Sequence, residues 1–359
     1  MAKPLKDCFS AAFIQTLATN INQAYPPFET ERFIAQVFDD RWDSLELKQR
    51  MRRISQLLGE YLPTDYSQAI DILKPVSDDF SGLAHMLFPD FVELYGLSDI
   101  ETSLNALEYF TPNSSAEFAI RPFIIRFPRK TMARMKKWSK SDNKHLRRLA
   151  SEGCRPRLPW AMALPEFKRD PTQVLEIILE MIADKSLYVR RSVANNLNDI
   201  SKDNPDLIVD ISRQHIGRSA HVDWVCKHAC RGLLKQGDKR VLPLFGFDCP
   251  EHVQLVGFKV SSQVKLGESL PFQFTLQTDR NQLGKLRLEF IIDFMKANGE
   301  TAPKIFKISE GDFQGRKRSV TKSFSFKLIS TRRYYFGEHQ LSIVVNGEKL
   351  ATQAFELIE

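Results

Sequence analysis

From residue 8 to about residue 245 apolar side chains recur three and four positions apart, as in FIAQVF, LKQRMRRISQLLGEYL and VLEIILEMIAD. That spacing gathers them on one face of an α-helix, and no two-residue alternation interrupts it. Short breakers divide the run: Tyr25-Pro26-Pro27, Leu62-Pro63-Thr64-Asp65, Asp170-Pro171-Thr172 and Asp203-Asn204-Pro205-Asp206. Proline stops one helix and the Thr or Asp after it caps the next, so the pattern predicts a succession of helix pairs. After Cys249-Pro250 the period drops to two. Segments such as QLVGFKVSS, LPFQFTLQT, KLRLEFIIDF, PKIFKIS, TKSFSFKLI and HQLSIVVNG alternate apolar and polar residues and are rich in Phe, Ile, Val and Thr. Turn signals at Leu266-Gly267-Glu268, Ala297-Asn298-Gly299 and Val345-Asn346-Gly347 separate them, which predicts an Ig-like β-sandwich of seven strands. No Cys…Trp…Cys pin is present in that region.

Three helical stretches align without gaps: Leu146 to Gly153 (LRRLASEG), Val189 to Asn196 (VRRSVANN) and Val225 to Gly232 (VCKHACRG), offset by 43 and then 36 residues. Each begins with an aliphatic residue, continues through two mostly basic positions and ends in small residues. A period near forty with small residues for close helix contact predicts HEAT-like pairs stacked as a solenoid. The expected architecture is therefore mainly α, with a HEAT-like helical-repeat domain over 1–248 and an Ig-like sandwich over 249–359. Stacking sets equivalent positions in rows. Arg147, Arg190 and Cys226 form one row, and Arg148, Arg191 and Lys227 the next, a cationic stripe suited to a phosphate backbone. The competing reading gives one basic position per repeat to a structural ion pair between repeats.

The formal net charge is +7, and its distribution matters more than its size. Residues 1–120 hold nine Lys and Arg against eighteen acids, whereas residues 121–160 hold thirteen against two. A block that dense in mid-domain points to a polyanion, with a solvated lysine-rich face as the alternative. No apolar run reaches the ~18 residues of a membrane span. The beginning of the chain, with Asp7 and scattered polar residues, lacks a secretory pattern. A cytoplasmic, nucleoid-associated, monomeric protein is expected. Five cysteines at irregular spacing (Cys8, Cys154, Cys226, Cys230, Cys249) read as reduced thiols.

Candidate chemistry is sparse. No Gly-rich phosphate loop, HExxH, nucleophile elbow or CxxC pair occurs, and so no metal or nucleotide cofactor is expected. His221, Cys226, His228 and Cys230 do not share one helical face, so buried thiols and a satisfied histidine are preferred to a metal site. The densest stretch is WSKSDNKHLRRLASEGCRPRLPWA, from Trp138 to Ala161. There a basic helix containing Glu152 runs into CRPRLPW, whose prolines predict a stiff, extended segment directing Arg155, Arg157 and Trp160. Glu117 stands at a helix start beside Arg121, and Asp199 follows Arg191 and Asn195 at one-turn spacing. Taken singly, each carboxylate has an ordinary reading as a dipole or ion-pair partner.

Together the strings SAEFAIRPFI, WSKSDNKHLRRLASEGCRPRLPWA and VRRSVANNLNDISKDNPD closely resemble motifs of the AlkC family of bacterial DNA alkylation-repair glycosylases, over roughly residues 5–245. The resemblance implies a HEAT-like fold related to the AlkD glycosylases and removal of positively charged methylated bases without metal or nucleotide cofactor. Some members of that family carry an added Ig-like domain. Carried over position by position, the lesion-facing residues would be Glu117, Glu152, Trp160 and Asp199. Arg121, Lys144, Arg147, Arg148, Arg155, Arg157, Arg190, Arg191, Lys227 and Arg231 are the candidate contacts to double-stranded DNA. The implied activity is hydrolysis of the N-glycosidic bond of 3-methyladenine, 3-methylcytosine or 1-methyladenine. No lysine nucleophile is evident, so strand cleavage is not expected. The alternative is a non-catalytic HEAT scaffold binding nucleic acid or protein. Three acids and a Trp inside the most cationic region argue against it.

Overall fold

A computed structural model describes residues 4–329 and 332–359. Fifteen α-helices precede the first strand among the described residues: α1 (Ala11–Ala24), α2 (Thr30–Val37), α3 (Leu47–Tyr61), α4 (Tyr66–Ser77), α5 (Leu87–Tyr95), α6 (Ile100–Phe110), α7 (Ile120–Arg126), α8 (Pro128–Trp138), α9 (Lys144–Glu152), α10 (Pro165–Arg169), α11 (Thr172–Ile178), α12 (Leu187–Ile200), α13 (Pro205–His215), α14 (Ala220–Ala229) and α15 (Arg231–Gln236). Their starts are written locally. Ser10, Asp65, Asp99 and Asn143 each accept a hydrogen bond from a backbone N–H of the first turn they cap. Glu46 and Gln49 form a reciprocal capping box on α3. Such caps satisfy amides that otherwise have no helical partner. None of the described helices is long and apolar enough to cross a membrane.

The chain divides into two compact units, one of Met1–Asn204 with Gly217–Ala229 and one of Pro205–Ile216 with Cys230–Glu359. In the first, the helices pack largely on their sequence neighbours, and α12 lies between α9 and α14. These three helices carry the aligned stretches. Their aliphatic first positions, Leu146, Val189 and Val225, are all buried, as are Ala150, Val193 and Ala229. Gly153 ends the first stretch where a Cβ would stand 2.7 Å from the Ile120 side chain, so only glycine permits that approach.

The second unit contains eight strands, β1 (Gln254–Val260), β2 (Gln263–Lys265), β3 (Ser269–Gln277), β4 (Gly284–Met295), β5 (Thr301–Phe313), β6 (Lys317–Ser325), β7 (Gly337–Val345) and β8 (Glu348–Ile358). They form a three-stranded sheet, β1-β3-β6, and a five-stranded sheet, β2-β8-β7-β4-β5. The eighth strand exceeds the expected seven because β2 is three residues long and pairs parallel with β8, too short to display an alternation. Along β3, Leu270, Phe272, Phe274 and Leu276 point into a core shared with Leu288, Ile292, Leu341 and Ile343. Asn346 and Gly347, with φ of 46° and 82°, turn β7 back into β8 as a two-residue hairpin of that kind requires.

Candidate active site

Four parts of the first unit meet around a cavity of about 300 Å³ lined by Lys48, Glu117, Phe118, Glu152, Arg155 and Trp160 over an otherwise apolar wall that includes Phe9, Met51 and Met86. Lys48 stands in the first turn of α3, Glu117 in the turn before α7, and Glu152 at the last position of α9. Trp160 belongs to the link between α9 and α10. The sequence-predicted carboxylates Glu117 and Glu152 and the sequence-predicted indole thus share one pocket.

The third carboxylate, Asp199 of α12, sits one residue behind the pocket wall. Arg155 donates to Glu152 Oε1 at 2.7 Å and to Asp199 Oδ2 at 2.8 Å. Lys202 donates to Asp199 Oδ1 at 3.2 Å. On the other side Arg148 pairs with Glu117 and lies 3.5 Å from Glu152 Oε1, its guanidinium over the Tyr188 ring at 5.0 Å. Negative and positive groups therefore alternate in the order Glu117, Arg148, Glu152, Arg155, Asp199, Lys202. Burial opposes the charge on Arg148, yet Glu117 and Glu152 outweigh it and hold its pKa above the ordinary range. For Arg155 burial is likewise overcome by Glu152 and Asp199. The three carboxylates differ in what is left over. Both Asp199 oxygens are occupied, and Glu152 Oε2 accepts from Ser192 Oγ at 2.6 Å. Glu117 Oε2 accepts from Ser115 Oγ at 2.6 Å and from Arg148, and among the described residues its Oε1 accepts nothing.

Trp160 is 64% exposed and has a φ of 63°. The Ala161 amide donates to Leu158 O at 3.3 Å, closing a turn with Pro159 second and Trp160 third. A positive φ at the third position is what a type II turn demands and what glycine usually supplies. The CRPRLPW segment is accordingly a pair of turns and not the expected extended segment, because its prolines serve as turn corners. A second bond, Leu164 amide to Pro156 O at 3.1 Å, folds it back.

A family model described as DNA alkylation repair enzyme matches residues 109–233. Another, described as the C-terminal Ig-like domain of the uncharacterised protein YhaZ, matches residues 254–359. The uncharacterized protein YhaZ of Bacillus subtilis (strain 168) is 45% identical over 346 residues, covering 96% of each chain. The alkylpurine DNA glycosylase AlkC of Pseudomonas fluorescens, solved bound to DNA containing an abasic site analog, is 36% identical over 99% of this chain and 100% of that one, with a TM-score of 0.94. The chain belongs to the AlkC family.

Within this AlkC-family chain several of the expected DNA contacts turn out to hold the protein together. Arg121 is fully buried and donates to the carbonyls of Gly153, Arg155 and Met162 at 2.7–2.9 Å. Burial pushes its pKa down to about 10. Arg147 chelates Asp184 at 2.6 and 3.1 Å, while Arg190 donates to the Asp184 carbonyl at 2.5 Å. One loop residue thus ties α9 to α12. Arg121, Arg147, Arg155 and Arg190 are all at most 8% exposed, and the hydrogen bonds they donate go to partners within the fold, a burial that argues against the expectation that they face phosphates. Arg148 is half-buried within the carboxylate row. Arg157 is more open but bidentate to Asp203, at 2.6 and 3.1 Å. Lys144 and Arg191 are exposed, and Lys227 and Arg231 half-buried.

Of the basic block, the exposed cations lie chiefly on α8. Lys136 pairs with Glu176, but Arg129, Lys130 and Lys137 are exposed and form no ion pair among the described residues. His228 stacks on Trp224 at 5.0 Å and meets Asn195 Oδ1 at 3.1 Å, and Cys230 Sγ lies 3.2 Å from Ser212 Oγ. No group of three or more His, Cys, Asp or Glu that could hold a metal occurs among the described residues. Sequence reasoning missed Lys48, Ser115, Tyr188, Ser192 and Lys202. Ser192 left a trace, being a hydroxyl where the preceding aligned stretch has Leu149.

Proposed function

We propose that this protein is a monofunctional DNA glycosylase that hydrolyses the N-glycosidic bond of cationic alkylated bases, of the 3-methyladenine, 3-methylcytosine and 1-methyladenine class, in base excision repair of double-stranded DNA. Its helical part, 1–248, is then a HEAT-like catalytic domain, and 249–359 an Ig-like addition. The observation that carries the reading is an exposed indole, held at a positive φ, on the rim of a pocket that contains Glu117 and Glu152 with Asp199 behind them. The match to a protein named as an alkylpurine DNA glycosylase gives the reading its reaction.

Alkylation at a ring nitrogen makes the base cationic, so it departs without a general acid. What remains is to stabilise an oxocarbenium-like sugar and to aim a water. Carboxylates do both, in the manner of glycoside hydrolysis. Glu117 is the best placed to receive the water, since among the described residues nothing donates to its Oε1. Glu152 and Asp199 are locked by Arg148, Arg155 and Lys202 and supply fixed negative potential. An indole face against the cationic base or sugar adds about 0.5–2 kcal/mol. Nothing in this scheme needs a bound cofactor. Release of free methylated base from methylated duplex DNA, with an intact but alkali-labile strand left behind, is the expected result. A protein that binds the duplex and releases no base is instead the non-catalytic scaffold.

A further inference from the structure

Trp160 presents a physical problem. A left-handed backbone costs an L residue about 1–2 kcal/mol, and a side chain 64% exposed has little core packing with which to offset it. The turn that contains Trp160 is closed by one long hydrogen bond of its own, 3.3 Å from the Ala161 amide to Leu158 O. The stronger tie comes from far away in the chain. Lys48 Nζ donates to the Trp160 carbonyl at 2.8 Å. The same ammonium lies over the Phe118 ring, 4.7 Å from its centroid, and Phe118 is joined directly to Glu117. One cation therefore bridges the two walls of the pocket, the indole wall and the Glu117 wall.

Lys48 is also oddly placed for a purely structural lysine. It lies in the first turn of α3, where the helix dipole disfavours a positive charge, and no carboxylate among the described residues forms an ion pair with it. Its partners are a peptide carbonyl and an aromatic face, both part of the pocket lining.

We propose that Lys48 is a positioning residue for base excision: by holding the Trp160 carbonyl and the Phe118 face together, it fixes the indole relative to the Glu117 carboxylate. The inference rests on the glycosylase reading. Misplacing a group by an ångström costs up to about a hundred-fold in rate, so Lys48→Met, which keeps the aliphatic stem and removes the donor, is expected to slow single-turnover excision about ten-fold.

The test is a double-mutant cycle on the full-length chain with N-methylated duplex DNA, comparing wild type, Lys48→Met, Trp160→Ala and the pair. If Lys48 acts through Trp160, its substitution has no further effect once the indole is gone, and duplex affinity keeps its salt dependence. Lys48→Arg, which restores a donor, recovers part of the rate. Three outcomes overturn the proposal: Lys48→Met with the wild-type rate, additive losses in the pair, or a salt slope lower by about one with the excision rate intact, the mark of a phosphate contact. Absence of base release by the wild-type protein sinks the glycosylase reading itself and is read before any variant. Circular dichroism and the thermal midpoint of Lys48→Met separate a positioning defect from a folding one.

Discussion

At the scale of single residues, the three acids are chemically alike and structurally unlike, so their substitutions have separable effects. Glu117→Gln keeps the shape, removes a partly accessible charge, and is expected to slow excision ten-fold or more, about 1.4 kcal/mol in the barrier, with the fold retained. Asp199→Asn leaves the buried Arg155 guanidinium facing a neutral side chain that is 2% exposed, and breaking such a buried pair costs about 3–5 kcal/mol of stability. Chemical denaturation measured beside single-turnover kinetics distinguishes the two; equal stability losses would contradict the assignment. Trp160→Ala is expected to depress excision while leaving the thermal midpoint nearly unchanged, since a core Trp→Ala costs about 3–5 kcal/mol and this indole is mostly in solvent. A large fall in the midpoint with specific activity intact would return Trp160 to the core.

His85, fully buried, has neither ring nitrogen hydrogen-bonded among the described residues and packs against Phe88 and Phe110. Burial lowers its pKa to about 4. The unfolded chain takes up this proton near pH 6.5 and the folded one does not until about 4. The stability held above 6.5 is therefore lost as pH falls through that window, by up to about 3 kcal/mol. His85→Leu should flatten the acid limb of the midpoint-against-pH curve relative to wild type. An unchanged limb places the sensitivity elsewhere.

At the scale of elements, two basic positions that look equivalent in LRRLASEG and VRRSVANN have different fates. The first of each pair, Arg147 and Arg190, turns inward to Asp184; of the second, Arg148 enters the carboxylate row beside Glu117 and Glu152 and Arg191 is exposed. A step of one residue rotates a side chain by roughly 100° about a helix, and neither charge nor composition says which of two arginines that step buries. Cys226 at the matching place in the third stretch was the legible hint, because a thiol there marks a buried row. Arg190→Ala should consequently lower stability and leave the salt slope of duplex binding unchanged. Neutralising Lys130 and Lys137 on α8 should do the reverse, reducing that slope by about 0.9 for each phosphate that a lysine no longer neutralises. A slope that responds to Arg190 but not to α8 would reverse the assignment.

At the scale of the whole molecule, the succession of helices and the change to strands near Gln254 were written in hydrophobic period, since helix and strand bury faces with periods of 3.6 and 2. The gathering of Glu117, Glu152 and Trp160 in one pocket was not, because it depends on where α3, α7 and α9 meet. Lys48 lies 112 residues from its partner Trp160, and no local pattern encodes such a bond. The two compact units, each with its own buried apolar core, are expected to unfold calorimetrically with an enthalpy above the van't Hoff value. Equality of the two enthalpies would mean a single cooperative body.

The alternating row from Glu117 to Lys202 has a consequence for how this protein can change over generations. Its three anions and three cations cancel, and each interior member is shared by two neighbours. A substitution at one position alters the environment of the next two, so its effect depends on what those neighbours already are. The six positions therefore behave as one heritable unit: variants acceptable in pairs are deleterious alone, and a library randomised at single sites will find almost none of the working combinations.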